Sequence, residues 1–92
     1  MKDINKLINH LTGLQEAILE ELLLNIEPTV VTALTITEIA DAVNTKPIEV
    51  RKTLKILILI ELLEYEVFSG RGISVKIIDM DTFNRLKAHF DL

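Results

Sequence analysis

The chain has 92 residues, of which 49% are hydrophobic and 26% charged, so it holds enough apolar side chains for the core of one domain. It contains no cysteine, which excludes disulfides, thiolate metal sites and a cysteine nucleophile. Its net charge of −4 at pH 7 argues against a uniformly basic nucleic-acid binder.

The basic charge is concentrated in the middle of the chain. Residues 1–44 carry a net charge of −5, residues 45–76 of +2 and residues 77–92 of −1. The segment from Lys46 to Lys55 alone holds four of the ten basic side chains. In an acidic chain, such a local basic segment is where contacts with phosphate are expected.

Two helices are predicted at the N-terminus. Four apolar residues recur at helical spacing within residues 3–11: Ile4, Leu7, Ile8 and Leu11. Thr12 and Gln15 form a T-x-x-Q capping box, which predicts a second helix from Gly13 to about Asn25. One long helix bent at Gly13 is the alternative. The stripe predicted to be buried in the second helix comprises Leu14, Ile18, Leu19, Leu22 and Leu23.

A short strand and a short helix follow. Pro28 ends the second helix, and the β-branched residues 29–34 predict a strand. Thr35 and Glu38 form a T-x-x-E capping box, which predicts a helix over residues 36–43. Three of its residues are expected to face inward: Ile39, Ala40 and Val43.

The next helix begins after a very short turn. Asn44 tolerates the left-handed conformation that ends a helix, and Pro47 suits the first turn of the following one. That helix is predicted to end near Leu59. Its buried stripe is Val50, Leu54 and Leu57.

The period then changes from helical to alternating, which predicts a β-hairpin. Leu63, Tyr65 and Val67 alternate with acidic residues, and a second alternating run covers residues 73–78. The four residues from Ser69 to Gly72 form a glycine-rich tip. Asp79 or Asp81 can cap a last helix, in which three apolar residues point one way: Phe83, Leu86 and Phe90.

This order of elements resembles a winged helix-turn-helix domain, similar to those of MarR-like and ArsR-like transcriptional regulators. The resemblance lies in the stretches LTGLQEAILEELLL, ITEIADAVNTKPIEVRKTLKIL and LLEYEVFSGRGISVKII. It implies an α+β, mainly α fold, with a three-helix core and a β-hairpin wing. We expect one domain over residues 1–92, with the core at about 12–78 and extra terminal helices at 3–11 and 80–91.

The resemblance also implies a sequence-specific double-stranded DNA-binding protein that regulates transcription. The second helix of the pair would lie in the major groove, and the wing would lie on the backbone or in the minor groove. By position, the DNA-binding candidates are Lys46, Ile48, Glu49, Arg51, Lys52, Lys55 and Arg71.

A helical projection of the second helix places part of this set on its exposed side. Lys52 and Lys55 fall opposite the buried stripe, and Arg51 falls at its flank. Lysines there can neutralise phosphates, and an arginine can reach a guanine edge. A merely solvated helix face is the alternative. For Glu49, a local interaction with Lys52 or Thr53 competes with contact to cytosine.

Such regulators bind two half-sites as dimers, so we expect a homodimer. The predicted dimer elements are the terminal helices, through Ile4, Leu7, Ile8, Leu11, Phe83, Leu86 and Phe90.

One feature departs from the family pattern, in which the second helix ends in charged residues and a glycine. Here it reads KILILIELL, and Ile56 and Leu59 project on its polar side. If they are exposed, we expect the terminal helices, a second copy of the chain or another protein to cover them. The alternative function is therefore a winged helix that docks onto protein at Ile56–Leu59, as a subunit or adaptor of a transcription or replication assembly, without binding DNA itself.

Other functions find no support in the sequence. No nucleophile–base set, paired carboxylates or cofactor loop indicates an enzyme, and no cofactor is predicted. His10 and His89 lie in the terminal helices without a carboxylate pattern, so no metal site is predicted. The longest apolar run, residues 56–60, is too short to span a membrane, and we expect a soluble, cytoplasmic protein.

Overall fold

The N-terminal segment forms two separate helices in the computed structural model, which describes residues 3–67 and 72–92. Helix α1 spans Ile4–His10 and helix α2 spans Gly13–Asn25. The predicted capping box separates them: the Gln15 N–H donates to Thr12 Oγ1 (3.1 Å), and the Thr12 N–H donates to Gln15 Oε1 (3.0 Å). The prediction of two helices is therefore confirmed.

Strand β1 (Thr32–Thr35) begins three residues later than predicted. The Val30 N–H donates to the Glu27 carbonyl (3.4 Å), and the Glu27 N–H donates to Thr32 Oγ1 (3.0 Å), so the segment between them turns. Helix α3 (Ile36–Ala42) follows directly. The capping box predicted at Thr35 is wrong, since this side chain makes no capping hydrogen bond. Thr35 instead pairs with Gly72 at the end of the strand, so the sheet fixes its orientation.

The turn into helix α4 (Pro47–Leu59) forms as predicted. Asn44 adopts a φ of 56°, in the left-handed region. The Thr45 N–H donates to the Ala40 carbonyl (2.8 Å), and the Asn44 N–H donates to the Asp41 carbonyl (3.1 Å). These two bonds satisfy the last carbonyls of α3, in the Schellman arrangement, and leave Pro47 to begin the next helix.

The hairpin consists of β2 (Leu63–Val67) and β3 (Gly72–Ile77). Together with β1 it forms a three-stranded antiparallel sheet in the order β1-β3-β2. Ile73, Val75 and Ile77 face the core, as the alternation predicts. The arrangement of helices and sheet is that of a winged helix-turn-helix, as predicted.

Helix α5 (Met80–His89) closes the core from the C-terminal side. Of the two capping candidates, Asp79 is the N-cap, and its side chain accepts from the Thr82 N–H (3.0 Å). Phe83 and Leu86 are completely buried against the other helices. Leu14, predicted to be buried, is exposed, and the buried stripe of α2 begins one turn later at Ile18.

Candidate nucleic-acid interface

Helices α3 and α4 form the helix-turn-helix pair, and small and branched side chains hold them together. Ala40 of α3 and Val50 and Leu54 of α4 have no exposed surface. A side chain as small as that of Ala40 allows the two helices to approach closely. The two helices thus pack closely against each other, and the polar face of α4 is directed to solvent.

That solvent face carries the basic residues of the segment. Lys46, Arg51, Lys52 and Lys55 are all exposed. Ile48, in the first turn of α4, has half of its surface exposed (50%). Residues 46–59 have a net charge of +3, in a chain whose net charge is −4. The structure therefore brings the basic and apolar candidates of α4 to one accessible helix face.

Glu49 makes the local interactions that the sequence offered as its alternative. Its carboxylate lies 3.6 Å from the Lys52 ammonium, and its backbone carbonyl accepts from the Thr53 hydroxyl (3.0 Å). Thr53 is fully buried among apolar side chains, and this bond satisfies its hydroxyl. This ion pair offsets part of the charge of one of the candidate lysines.

The wing candidate Arg71 lies outside the described residues. The described part of the hairpin shows where the wing begins: Gly72, the first residue of β3, pairs with Thr35. Thr35 immediately precedes α3, so the hairpin's tip end lies beside the start of the helix-turn-helix. The described end of β3 therefore lies next to the N-terminus of α3.

Acidic side chains limit the basic area to α4. Glu38 and Asp41 of α3 are both exposed, on the helix that packs against α4. The outer side of the sheet is mixed, with Glu64 paired opposite Lys76 and both exposed. Within residues 3–67 and 72–92, the concentrated positive surface is consequently a narrow stripe along α4.

The C-terminal half of α4 presents apolar rather than basic side chains at its surface. Leu59 is 81% exposed, whereas Ile56 is half-buried and packs against the core. The condition of exposure that the sequence left open is therefore met by Leu59 and only in part by Ile56. Both side chains line an apolar groove of about 520 Å³ between α4 and α1. Sequence reasoning missed the groove, although the unbroken apolar run of residues 56–60 was a signal for it.

The seven residues predicted to form the dimer interface divide into two groups. Leu11, Phe83 and Leu86 are buried in the core of the single chain. The others are half-buried and retain accessible surface: Ile4, Leu7, Ile8 and Phe90. Only this second group can contribute contact area to a partner without rearrangement of the core.

The described residues contain no helix that is long and apolar enough to cross a bilayer. Within the same ranges, no three His, Asp or Glu side chains lie close enough together to hold a metal ion.

Comparison with solved structures finds the same fold in a transcription factor. The adhesin competence repressor (AdcR) of Streptococcus pyogenes superposes with a TM-score of 0.58 and 24% sequence identity, over 96% of this chain and 70% of that one. At this identity the likeness establishes the winged-helix fold. No family model matches the sequence, and no curated protein matches it either.

Proposed function

We propose that this protein binds double-stranded DNA through α4 and regulates transcription. The observation that carries the proposal is the stripe of exposed basic side chains on the second helix of a helix-turn-helix: Lys46, Arg51, Lys52 and Lys55. The fold that it shares with a repressor supports the same role.

The residues of α4 suit different parts of a duplex. Lys52 and Lys55 lie opposite the buried stripe and would neutralise phosphates. Arg51 would donate to the acceptor pair of a guanine, and Ile48, near the helix N-terminus, would pack on a thymine methyl group. Glu49 would accept from a cytosine amino group once a phosphate draws Lys52 away from it. Arg71 would contact the backbone or the minor groove from the wing.

The test is fluorescence anisotropy with a mixed-sequence duplex across a range of salt concentrations. Each phosphate contact contributes about 0.9 to the slope of log K against log salt. For the Lys52→Ala/Lys55→Ala variant we therefore expect a slope shallower by about 1.8, together with weaker binding at every salt concentration.

A matched control removes the same charge elsewhere. Lys76→Ala/Lys87→Ala takes two lysines from the sheet and from α5, with Lys76 four residues along β3 from its wing end. This variant should keep the wild-type slope. If both variants lost the same amount of duplex affinity and of salt slope, binding would depend only on the overall charge of the protein. The proposal for α4 would then fail.

A protein-docking role is the second candidate, and the exposed Leu59 beside an apolar groove favours it. Absence of duplex binding even at low salt, in a folded protein, would favour this candidate over the first.

A further inference from the structure

Strand β2 forms one edge of the sheet. The strand order β1-β3-β2 gives it a single neighbour, β3, so its other edge has no partner strand within residues 3–67 and 72–92. No other backbone hydrogen bond among these residues reaches Leu63–Val67. Along an antiparallel strand, every second residue directs its N–H and C=O groups away from the existing neighbour. This edge therefore presents backbone groups that can pair with a further strand.

The side chains of β2 alternate between acidic residues and apolar or aromatic ones. Glu64 and Glu66 are exposed on the outer face of the sheet, whereas Leu63 is buried and Tyr65 is half-buried against the core. Glu64 lies opposite Lys76 in the register. Even so, neither glutamate makes an ion pair or a side-chain hydrogen bond with another residue of the described chain. Two unpaired carboxylates thus lie at alternate positions along a free edge.

These carboxylates disfavour a second copy of β2 as the added strand. An antiparallel pair centred on Tyr65 sets Glu64 opposite Glu66 twice, and a pair centred on either glutamate sets that residue opposite itself. Like charges directly opposite each other destabilise a strand pair. The same charges repel the phosphates of nucleic acids and of anionic lipids. The edge is therefore suited to a basic strand from another protein.

The outer face beside Glu66 leaves room for a long basic side chain. Ser74, a small uncharged residue, lies opposite Glu66 in the register. Both glutamates, Ser74 and Lys76 line a depression of about 340 Å³. A guanidinium from an added strand can lie in this depression and donate two parallel hydrogen bonds to Glu66. Because Lys76 lies opposite Glu64, Glu66 offers the stronger attraction for a cation.

We propose that β2 is a docking edge for an extended basic segment of another protein, which adds to the sheet as a fourth strand. The segment would carry basic residues at two alternate positions, opposite Glu64 and Glu66, and apolar residues between and beside them. This surface is separate from the groove beside Leu59. The inference goes beyond the proposed function and does not require that the protein bind DNA.

An NMR titration of the isotope-labelled full chain with the capped peptide TVRVRVT tests the proposal. If the peptide pairs antiparallel and is centred on Tyr65, its first arginine faces Glu66 and its second faces Glu64. We expect saturable shifts of the backbone amides of Leu63–Val67 and slower hydrogen exchange in this strand. The control peptide TVVRRVT has the same composition, but its adjacent arginines point to opposite faces of a strand. It should bind at least threefold more weakly.

Variants of the chain identify the charges involved. Glu66→Gln should raise the Kd of TVRVRVT by up to about fivefold, the range of an exposed ion pair, and Glu64→Gln should raise it less. Glu38→Gln, which removes the same charge from an exposed position on α3, should leave the Kd unchanged. Glu66→Lys should bind TVEVRVT, in which the first arginine is replaced by glutamate, more tightly than the wild type does. A misfolded variant would not show this gain.

Several results would overturn the inference: no saturable shifts at millimolar peptide, shifts that lie outside β2, equal affinity for the two arginine peptides, or no gain for TVEVRVT with Glu66→Lys. The proposed function fails separately. Lys52→Ala/Lys55→Ala should bind TVRVRVT as the wild type does, because neither lysine lies on the sheet. A chain that binds the peptide as expected but binds no duplex refutes DNA binding alone.

Discussion

Glu61 provides a direct test of how α4 ends. It has a φ of 61°, a left-handed conformation that costs an L-residue roughly 1–2 kcal/mol. The backbone requires it: the Glu61 N–H donates to the Ile58 carbonyl (2.9 Å), and the Leu62 N–H donates to the Leu57 carbonyl (3.0 Å). These are the two bonds of a Schellman motif, with buried Leu57 and Leu62 as its apolar contact. Glycine is the residue that usually occupies this position.

We therefore expect Glu61→Gly to stabilise the protein. Relief of the left-handed conformation contributes roughly 1–2 kcal/mol, and the greater freedom of glycine in the unfolded chain removes roughly 0.5–1 kcal/mol. The net gain in the free energy of unfolding is about 0.5–1 kcal/mol. For a domain of this size, 1 kcal/mol raises Tm by about 4–8 °C.

Urea and thermal unfolding followed by circular dichroism would measure this gain. Glu38→Gly is the matched control, since Glu38 is exposed but lies within α3, where glycine should cost about 1 kcal/mol. Glu61→Ala should change little, because alanine has the same left-handed cost. If Glu61→Gly destabilised the protein as Glu38→Gly does, the assignment of strain to this turn would be refuted.

Four further substitutions test the fold and the site. Phe83→Ala should lower the free energy of unfolding by about 3–5 kcal/mol in a urea titration, because this fully buried ring belongs to the core of the single chain; a smaller loss combined with dissociation of a dimer would contradict that. Thr12→Ala should cost about 1 kcal/mol in the same assay, whereas Thr35→Ala, which removes no capping hydrogen bond, should cost only a few tenths. Glu49→Ala should tighten binding to the mixed-sequence duplex in anisotropy while stability changes by less than about 1 kcal/mol, because it frees the largely exposed Lys52 from its ion pair. Unchanged or weaker binding to that duplex would refute the competition between Glu49 and phosphate for Lys52.

The boundaries of the helices could be predicted because local residues determine them. The T-x-x-Q box before Gly13 and Pro47 in the first turn of α4 each act within a few residues of the end they define. The alternation that marks the hairpin is equally local. These features can be recognised without information on tertiary packing. The order of the elements could therefore be predicted from the sequence.

The errors arose where distant parts of the chain meet. Thr35 has the sequence of a capping residue, but its pairing with Gly72, far along the chain, fixes it in the sheet. Leu14 has the spacing of a core residue but is exposed, and the position of its neighbours in the fold is not encoded in the helical period. The groove depends on the position of α1 beside the end of α4, which periodicity within either helix cannot reveal.

Helix α4 carries basic and apolar side chains along the same exposed side. Lys55 and Leu59 are four residues apart, hence on the same face and about 6 Å apart along the axis. A partner that covers Leu59 therefore lies within one turn of the last basic side chain. Leu59→Ala should consequently leave the salt slope of duplex binding unchanged, because it removes no charge, whereas Lys55→Ala should make the slope shallower by about 0.9. Measuring the slope for both variants separates phosphate contact from apolar contact on a single helix.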